Sequence, residues 1–392
     1  MTPMLVKVKP LNVRVFSFPL CLLLIRLLEI SSWGQNFLRG KYREWIEDND
    51  RIEVRSWYAE TEVSLEHDWS IEFLGTVDAW SGATPHGLPP SSATSKDEWL
   101  HTVSEEIRKA GLLTLQKNTP VHNLSFEYGI SDEPDYLSHS YALQYSYKLA
   151  AETLVLTSGL SLQDDSVKNF MGNFVNKKTP SLSLGLTRIL DKFTSVSVNF
   201  TYSWPSGYLS DPYKVVPANQ RFLFLPDEVF LFEENRPDKR EISVFYAEIS
   251  RYVQNLNLGT HLAYRYFEDD YELSGHTFEI EANRRFGDKW MISPRYRFYR
   301  QKQTSFYSPN ILKYEAYMDS PNASVGPYYS ADYRLSSFDS HSIGLKGSYL
   351  ISENLIVDAG FDRYLTRGRD NETENEVYPN ANIFTIGLQW EY

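Results

Sequence analysis

Apolar and polar side chains alternate along most of this chain, most clearly in its last ten residues. Large apolar side chains stand at every second position there, at Phe384, Ile386, Leu388, Trp390 and Tyr392. A period of two is the period of a β-strand with two different faces. In a bacterial outer-membrane barrel such a strand turns its apolar face to lipid and its polar face to the lumen. The edge of a soluble β-sandwich is the alternative reading.

Short alternating segments recur from residue 37 onward, and their connections are short and long in turn. Tight turns are predicted at 66–68, 118–120 and 352–354. The predicted long connections are 80–97, 163–179, 205–239, 301–337 and 367–382. Outer-membrane barrels have this asymmetry, with short periplasmic turns and long outer loops. The sequence therefore predicts an all-β, up-and-down antiparallel transmembrane barrel.

The strand count depends on the weak alternation in residues 37–46. The terminal strand follows a long loop, so it runs toward the periplasm. The segment from Ile52 is followed by a tight turn and runs the same way. A strand at 37–46 must then run outward, which gives about sixteen strands, an even number. Without that strand, fourteen is the fallback.

The N-terminus has the pattern of a secretory signal peptide. Lys7, Lys9 and Arg14 precede an apolar segment at 16–28, and small residues lead to a predicted cleavage after Gly34. Such a segment is too short to span a bilayer as a stable helix. The predicted organisation is a signal peptide at 1–34 and an outer-membrane β-barrel at 35–392. The predicted location is the bacterial outer membrane.

Composition agrees with an exported barrel. The 392 residues include 27 Tyr, 22 Phe and 9 Trp, the aromatic content that two interfacial girdles need. The single cysteine, Cys21, falls within the predicted signal peptide. A net charge of −12 argues against nucleic acid as a partner.

Charged residues fall on the predicted lumen face of three successive strands. They are Arg265, Glu279, Glu281, Arg295 and Arg297. Charges on the lipid face would cost a few kcal/mol at mid-depth, so these side chains belong in the lumen. They form either a constriction that selects solutes by charge or a network that holds the wall together.

Nothing in the sequence indicates a catalytic, metal or cofactor site. The acidic clusters at 164–165 and 268–270 could bind divalent cations. The alternative is that they are solvated loop tips. The histidines lack the spacing of metal ligands. Asp135, His139 and Ser140 lack the nucleophile elbow that a triad of this kind needs.

Several motifs resemble an uncharacterised family of bacterial outer-membrane β-barrel proteins. Two of them are Ser-Gly-Ala-Thr-Pro at 81–85 and Gly-Tyr-Leu-Ser-Asp-Pro-Tyr-Lys at 207–214. Further similar stretches stand at 133–136, 235–240, 264–270, 306–307 and 330–336. The motif residues that we single out are Asp78, Ser81, Gly82, Thr84, Asp135, Tyr136, Gly207, Tyr208, Asp211, Tyr213, Lys214, Asp332 and Arg334. The resemblance implies a fold and a location, and it implies no substrate.

Most of the motifs lie in predicted long loops or at strand ends. Connecting loops alone do not need such residues, so these loops either fold inward or dock a ligand, unless the motifs only form turns. The leading hypothesis is a porin-like channel for small polar solutes. The second is a closed scaffold or receptor that binds a partner through its outer loops. The expected partners are outer-membrane lipid and the barrel assembly machinery, through the terminal strand, and the oligomeric state stays open.

Overall fold

The computed structural model describes residues 36–93, 95, 99–219, 229–309 and 328–392. The predicted signal peptide at 1–34 lies outside the described residues. Nearly all regular structure in the described part is β-strand, joined by turns and short 3-10 helices.

The strands follow one another in simple up-and-down order. Their bounds are β1 Phe37–Glu47, β2 Ile52–Ser64, β3 Trp69–Pro85, β4 Leu100–Asn118, β5 His122–Asp132, β6 Tyr136–Leu149, β7 Leu154–Lys168, β8 Phe174–Asp191, β9 Thr194–Ser203, β10 Ser206–Gly207, β11 Val215–Asn219, β12 Val229–Glu233, β13 Ile242–Val253, β14 Leu258–Asp269, β15 Ser274–Phe286, β16 Trp290–Lys302, β17 Phe338–Ser352, β18 Leu355–Gly368 and β19 Ala381–Glu391. Strands β11 and β12 pair only with each other, within the long loop between β9 and β13.

Sixteen antiparallel strands, β1–β9 and β13–β19, close into a barrel. Closure is made by β1 and β19, which pair from Phe37 opposite Glu391 to Glu47 opposite Ala381. The predicted weak first strand is therefore real, and the prediction of a sixteen-stranded barrel is confirmed. Because the sheet closes on itself, it leaves no open edge that could pair with another chain.

The outer face of the barrel is apolar. Leu160 and Ile386 are 61% and 58% exposed there, and Phe278, Ile343 and Leu184 are exposed on the same face. Such a continuous exposed apolar surface is typical of a barrel surrounded by hydrocarbon.

Tyrosine–histidine hydrogen bonds mark the rims of this apolar face. Tyr128 and His139, Tyr264 and His276, and Tyr296 and His341 join neighbouring strands at 2.8–3.0 Å near their loop ends. A fourth pair, His122 and Tyr145, lies at the turn end. These amphipathic rings occupy the positions of the aromatic girdles expected at the two membrane interfaces.

One predicted loop is mostly strand. The sequence pattern predicts a connection at 163–179, whereas in the structure β7 continues to Lys168 and β8 begins at Phe174. Cross-strand ion pairs stabilise the extension, because Lys177 lies 3.4 Å from Asp165 and Lys178 lies 3.4 Å from Asp164. Beyond the hydrocarbon both faces of a hairpin can be polar, so the alternation that predicts strands is lost there.

Two other predicted connections are shorter than expected. β3 continues to Pro85, with a register shift between Trp80 and Gly82, and β18 extends to Gly368. The described residues contain no helix long and apolar enough to cross a membrane.

Candidate functional site

The strand register places all five predicted lumen charges on the inner face of the barrel. Arg265, Glu279 and Arg297 lie on β14, β15 and β16, with Glu279 directly opposite Arg297. The Arg297 Nε donates to Glu279 Oε1 at 2.8 Å. This part of the predicted mixed-charge wall is present, whereas its role in selecting solutes remains a prediction.

Arg295 does not pair with Glu281, although the two are opposite each other in the register. Its Nε donates to Asp362 Oδ1 at 2.6 Å, two strands away on β18. Glu281 instead accepts from Asn283 Nδ2 at 2.8 Å. Sequence reasoning missed Asp362, because a link across an intervening strand can be seen only once the register is known.

Other polar residues extend the charged wall around the barrel. Glu248 on β13 accepts from the Tyr246 hydroxyl at 2.6 Å and lies 3.1 Å from His261 Nε2. On β1, Arg39 donates to Glu60 Oε2 at 2.9 Å and to Gln389. The donors and acceptors of this wall are thus largely joined into pairs.

The wall is open to solvent at the turn end. A cavity of about 700 Å³ is lined there by residues of β8, β9, β13, β14 and β15, including His261, Glu281 and Asn283. The cavity therefore opens onto the part of the charged wall that lies nearest the turns.

At the opposite end, the loop after β9 crosses the mouth of the barrel. Lys214 Nζ lies 3.3 Å from Thr84 Oγ1 and also donates to the carbonyl of Pro85. The Val215 amide donates to the His86 carbonyl at 2.7 Å. Strand β9 stands six places from β3 around the barrel, so this contact requires the loop to span the opening.

Polar residues from this loop and from the β16–β17 loop form a network around two buried carboxylates, Glu234 and Asp332, and we call this network the loop core. It comprises Asp211, Lys214, Glu234, Arg236, Ser330, Asp332 and Arg334. Arg236 joins both carboxylates, with Nε 2.7 Å from Glu234 Oε1 and Nη2 2.8 Å from Asp332 Oδ2. Arg334 donates to Asp332 at 2.9 Å and also to Asp211.

Neutral donors complete the coordination of the buried carboxylates. Glu234 accepts from the Ser330 hydroxyl and from the Asp211 amide, each at 2.5 Å. Glu234 and Asp332 are 3% and 1% exposed. Buried charges persist only when they are paired and hydrogen-bonded, and both conditions are met here.

The pKa values of Glu234 and Asp332 are shifted in opposite directions. Burial, together with the neighbouring Asp332, raises the pKa of Glu234 to about 7, although Arg236 acts in the opposite direction. Burial also acts to raise the pKa of Asp332, but Arg334, Lys214 and Arg236 hold that pKa far below its usual range. Burial lowers the pKa of the Lys214 ammonium.

The remaining motif residues fasten the loop core to the barrel. The Tyr213 hydroxyl donates to Asp135, just before Tyr136 begins β6. Within the loop itself, the Tyr208 hydroxyl donates to Glu233, at the end of β12, at 2.8 Å. Gly207 pairs with β8 at a φ of 103°, where a side chain would meet the Asn176 carbonyl, so glycine is required.

Four motif residues, Asp78, Ser81, Gly82 and Thr84, belong to β3 rather than to the loop core. Asp78 faces the lumen and accepts from Arg108 Nε at 2.8 Å. Ser81 and Gly82 lie where the register of β3 shifts against β4.

The β16–β17 loop lies against the inner wall. Gln301, on the lumen face of β16, donates to the carbonyls of Arg334 and Ser336 at 2.9 and 2.7 Å. Leu88, Trp99, Val377 and Tyr378 form an apolar cluster beside it, against which Tyr333 and Phe338 pack. The loop core therefore sits in the mouth of the barrel.

The acidic residues and the possible triad considered in the sequence analysis have other arrangements in the described structure. Each aspartate of the 164–165 pair has a lysine partner on β8, and the buried Asp269 accepts from Arg240 at 2.8 Å. Within the described ranges no group of three metal-ligating side chains occurs. His139 and Ser140 project to opposite faces of β6, so they do not meet as a triad would require.

Comparison with known sequences assigns a family. The sequence pattern described as "Protein of unknown function (DUF3570)" matches residues 28–178 and 175–385. This chain belongs to the DUF3570 family. The predicted likeness to an uncharacterised family is thus supported. No match is found among curated proteins.

Solved structures with the same fold are outer-membrane proteins. A "bacterial polysaccharide outer membrane secretin" aligns with a TM-score of 0.51 at 10% identity over 91% of this chain and 98% of that one. CdiB from Acinetobacter baumannii aligns with a TM-score of 0.51 at 8% identity, over 92% of this chain and 61% of that one. At such identities the likeness extends to the barrel fold alone.

Proposed function

We propose that this DUF3570 protein is an outer-membrane channel for small polar solutes, with the loop core setting the width of its outer mouth. The observation that carries the proposal is the charged belt inside the barrel, with Arg295–Asp362 and Arg297–Glu279 at its centre. Charged side chains lining a water-filled barrel of sixteen strands act on every solute that passes.

The outer face of the barrel supports an outer-membrane location. An apolar outer face between two aromatic rims fits a bilayer, and a barrel is one of two architectures that satisfy all backbone groups in hydrocarbon. We further propose that lipid contacts this face and that the barrel assembly machinery recognises the terminal strand β19.

Single-channel recording in planar bilayers tests the channel. We expect steady current steps whose ion preference shifts when Arg295 and Arg297 are both replaced by Glu. Lys289→Glu, in the exposed turn between β15 and β16 and directed toward Tyr349 on the outer face, is the matched control and should leave the preference unchanged. Folding of every variant is checked first by heat-modifiable migration on a gel.

The second candidate is a closed scaffold or receptor that acts through its outer loops. The buried ion pairs of the loop core favour it, because loops fixed in this way present a constant surface. Folded protein that gives no current in bilayers would support this candidate and reject the channel.

A further inference from the structure

Four neighbouring strands of the lumen wall carry small neutral side chains. On β6 to β9, between Lys148 and the Asp165–Lys177 pair, every inward position is described, and these positions hold only Ser, Thr, Gly, Asn, Gln and Ala. Several of the hydroxyls bond to one another, as Ser181 and Ser203 do at 2.8 Å. This quarter of the wall offers small neutral donors and acceptors.

Aromatic rings line a second part of the lumen wall, on β18, β1, β2 and β3. The register places Tyr364 on β18, Trp45 on β1, Tyr58 on β2 and Trp80 on β3 on the inner face. We call these four residues the aromatic arc. All four are partly exposed, and the Tyr364 and Trp45 rings lie 5.3 Å apart.

The rings of the arc cover part of β19. Trp45 is opposite Ile383 and Tyr364 is opposite Ala381 across β19. Ile383 and Ala381 face the lumen yet are 6% and 0% exposed, in keeping with rings that cover them. The Trp45 and Tyr364 rings, tilted by 49° to each other, therefore lie between β19 and the lumen.

Charged groups also lie near the arc. Arg39 is bound to Glu60 and Arg295 to Asp362. Such pairs keep spare donor and acceptor capacity, because a guanidinium has five N–H groups and a carboxylate has about four lone-pair sites. Lys41, on the inner face of β1, lies over the Tyr58 ring with its Nζ 5.7 Å from the ring centroid, and Arg43 stands on the same face.

Aromatic rings beside hydroxyl, amide and charged groups suit one class of solute. The C–H face of a sugar ring packs on an aromatic face, while its hydroxyls exchange hydrogen bonds with hydroxyl, amide and ionic groups. We propose that the aromatic arc is a binding track for an oligosaccharide, an inference that rests on the proposed channel by naming its solute class.

Tryptophan fluorescence of the full barrel tests the track. The protein is held in a detergent without a sugar headgroup and titrated with maltohexaose, cellohexaose and, as a non-sugar control, polyethylene glycol of similar length. We expect a saturable change with at least one hexasaccharide and none with the glycol. No saturable change with either sugar overturns the inference.

Three variants separate recognition from folding. Trp45→Ala should weaken sugar binding at least tenfold, whereas Trp45→Phe should retain most of it because a ring remains. Trp290→Ala removes an outward-facing tryptophan and should bind as the parent does. Unchanged binding in folded Trp45→Ala overturns the inference, and Tyr364→Ala replaces that variant if heat-modifiability shows it unfolded.

The sugar-binding and current measurements test the oligosaccharide track and the channel separately. Current steps without sugar binding reject the oligosaccharide track and leave the channel standing. Sugar binding without current rejects the channel and supports the track as a binding site.

Discussion

Arg295 and Asp362 are joined across a strand that contributes only a glycine between them. The pair spans from β16 to β18 over Gly344, which stands opposite both residues in the register. A Cβ at Gly344 would lie 1.9 Å from Asp362 Oδ1 and 2.8 Å from Arg295 Nε. The absence of a side chain on β17 is therefore what allows this ion pair to form.

Replacing Gly344 by Ala should displace the ion pair. We expect a loss of about 1–3 kcal/mol in the free energy of unfolding, the usual cost of overfilling a packed site. Urea unfolding in detergent, followed by tryptophan fluorescence, measures the change. Gly360→Ala is the matched control, because its Cβ would have ordinary contacts at 3.7 Å or more. Equal stability of the two variants would contradict this role of Gly344.

Removing the charge of Asp332 should open the loop core. Asp332→Asn removes the carboxylate that Arg236 and Arg334 share and leaves each arginine with one acidic partner. A buried donor left without its acceptor typically costs about 1–3 kcal/mol. The barrel strands do not depend on this network, so we expect the loops to be cleaved by trypsin while heat-modifiability persists. Asp238→Asn, exposed in the 235–240 motif, should resist trypsin as the parent does. Parental resistance in Asp332→Asn would argue against the network.

The stability of the loop core should fall as the pH rises toward neutrality. Burial raises the pKa of Glu234 from its ordinary 4.5 to about 7, so the folded loops favour the protonated form. The corresponding stability is complete below about pH 4.5 and is lost as the pH rises to about 7. Asp332, with its lowered pKa, loses its contribution only in more acidic solution, below its ordinary value of 3.8.

Protease resistance of the loops at different pH values measures this dependence. A pH-insensitive protease should cleave the loops faster at pH 7.5 than at pH 5, and Glu234→Gln should flatten the difference. Faster cleavage at pH 5 than at pH 7.5 would contradict the direction of the Glu234 shift.

Three glutamates should make the channel prefer cations. Glu62 is opposite Glu72, and Glu72 connects through Thr114 to Glu127, which places a row of carboxylates on the lumen face. Like charges along a narrow path attract counter-ions. We expect a cation-selective reversal potential in a KCl gradient that decreases in Glu72→Gln. Glu152→Gln, in an exposed turn, should leave the potential unchanged.

The period-two alternation was sufficient to predict the barrel, because lipid and water act on every residue of a spanning strand. The alternation does not predict the ends of β7 and β8 within 163–179. Both faces are polar there, and the Asp165–Lys177 ion pair stabilises the strands. Local pattern also predicted that Arg295 faces inward but not that it binds Asp362. The motifs at 207–214 and 330–336 were found by resemblance, whereas their meeting through Arg334 and Asp211 depends on loop paths that no local signal encodes.

The pairing of β1 with β19 also constrains how the molecule can form. Arg39 and Gln389, hydrogen-bonded across that seam, are 350 residues apart in the chain. Contacts at such separation carry a large loop-closure entropy and form slowly. Until the last strand arrives, β1 keeps an unpaired edge, so a partly formed sheet is exposed to misassociation.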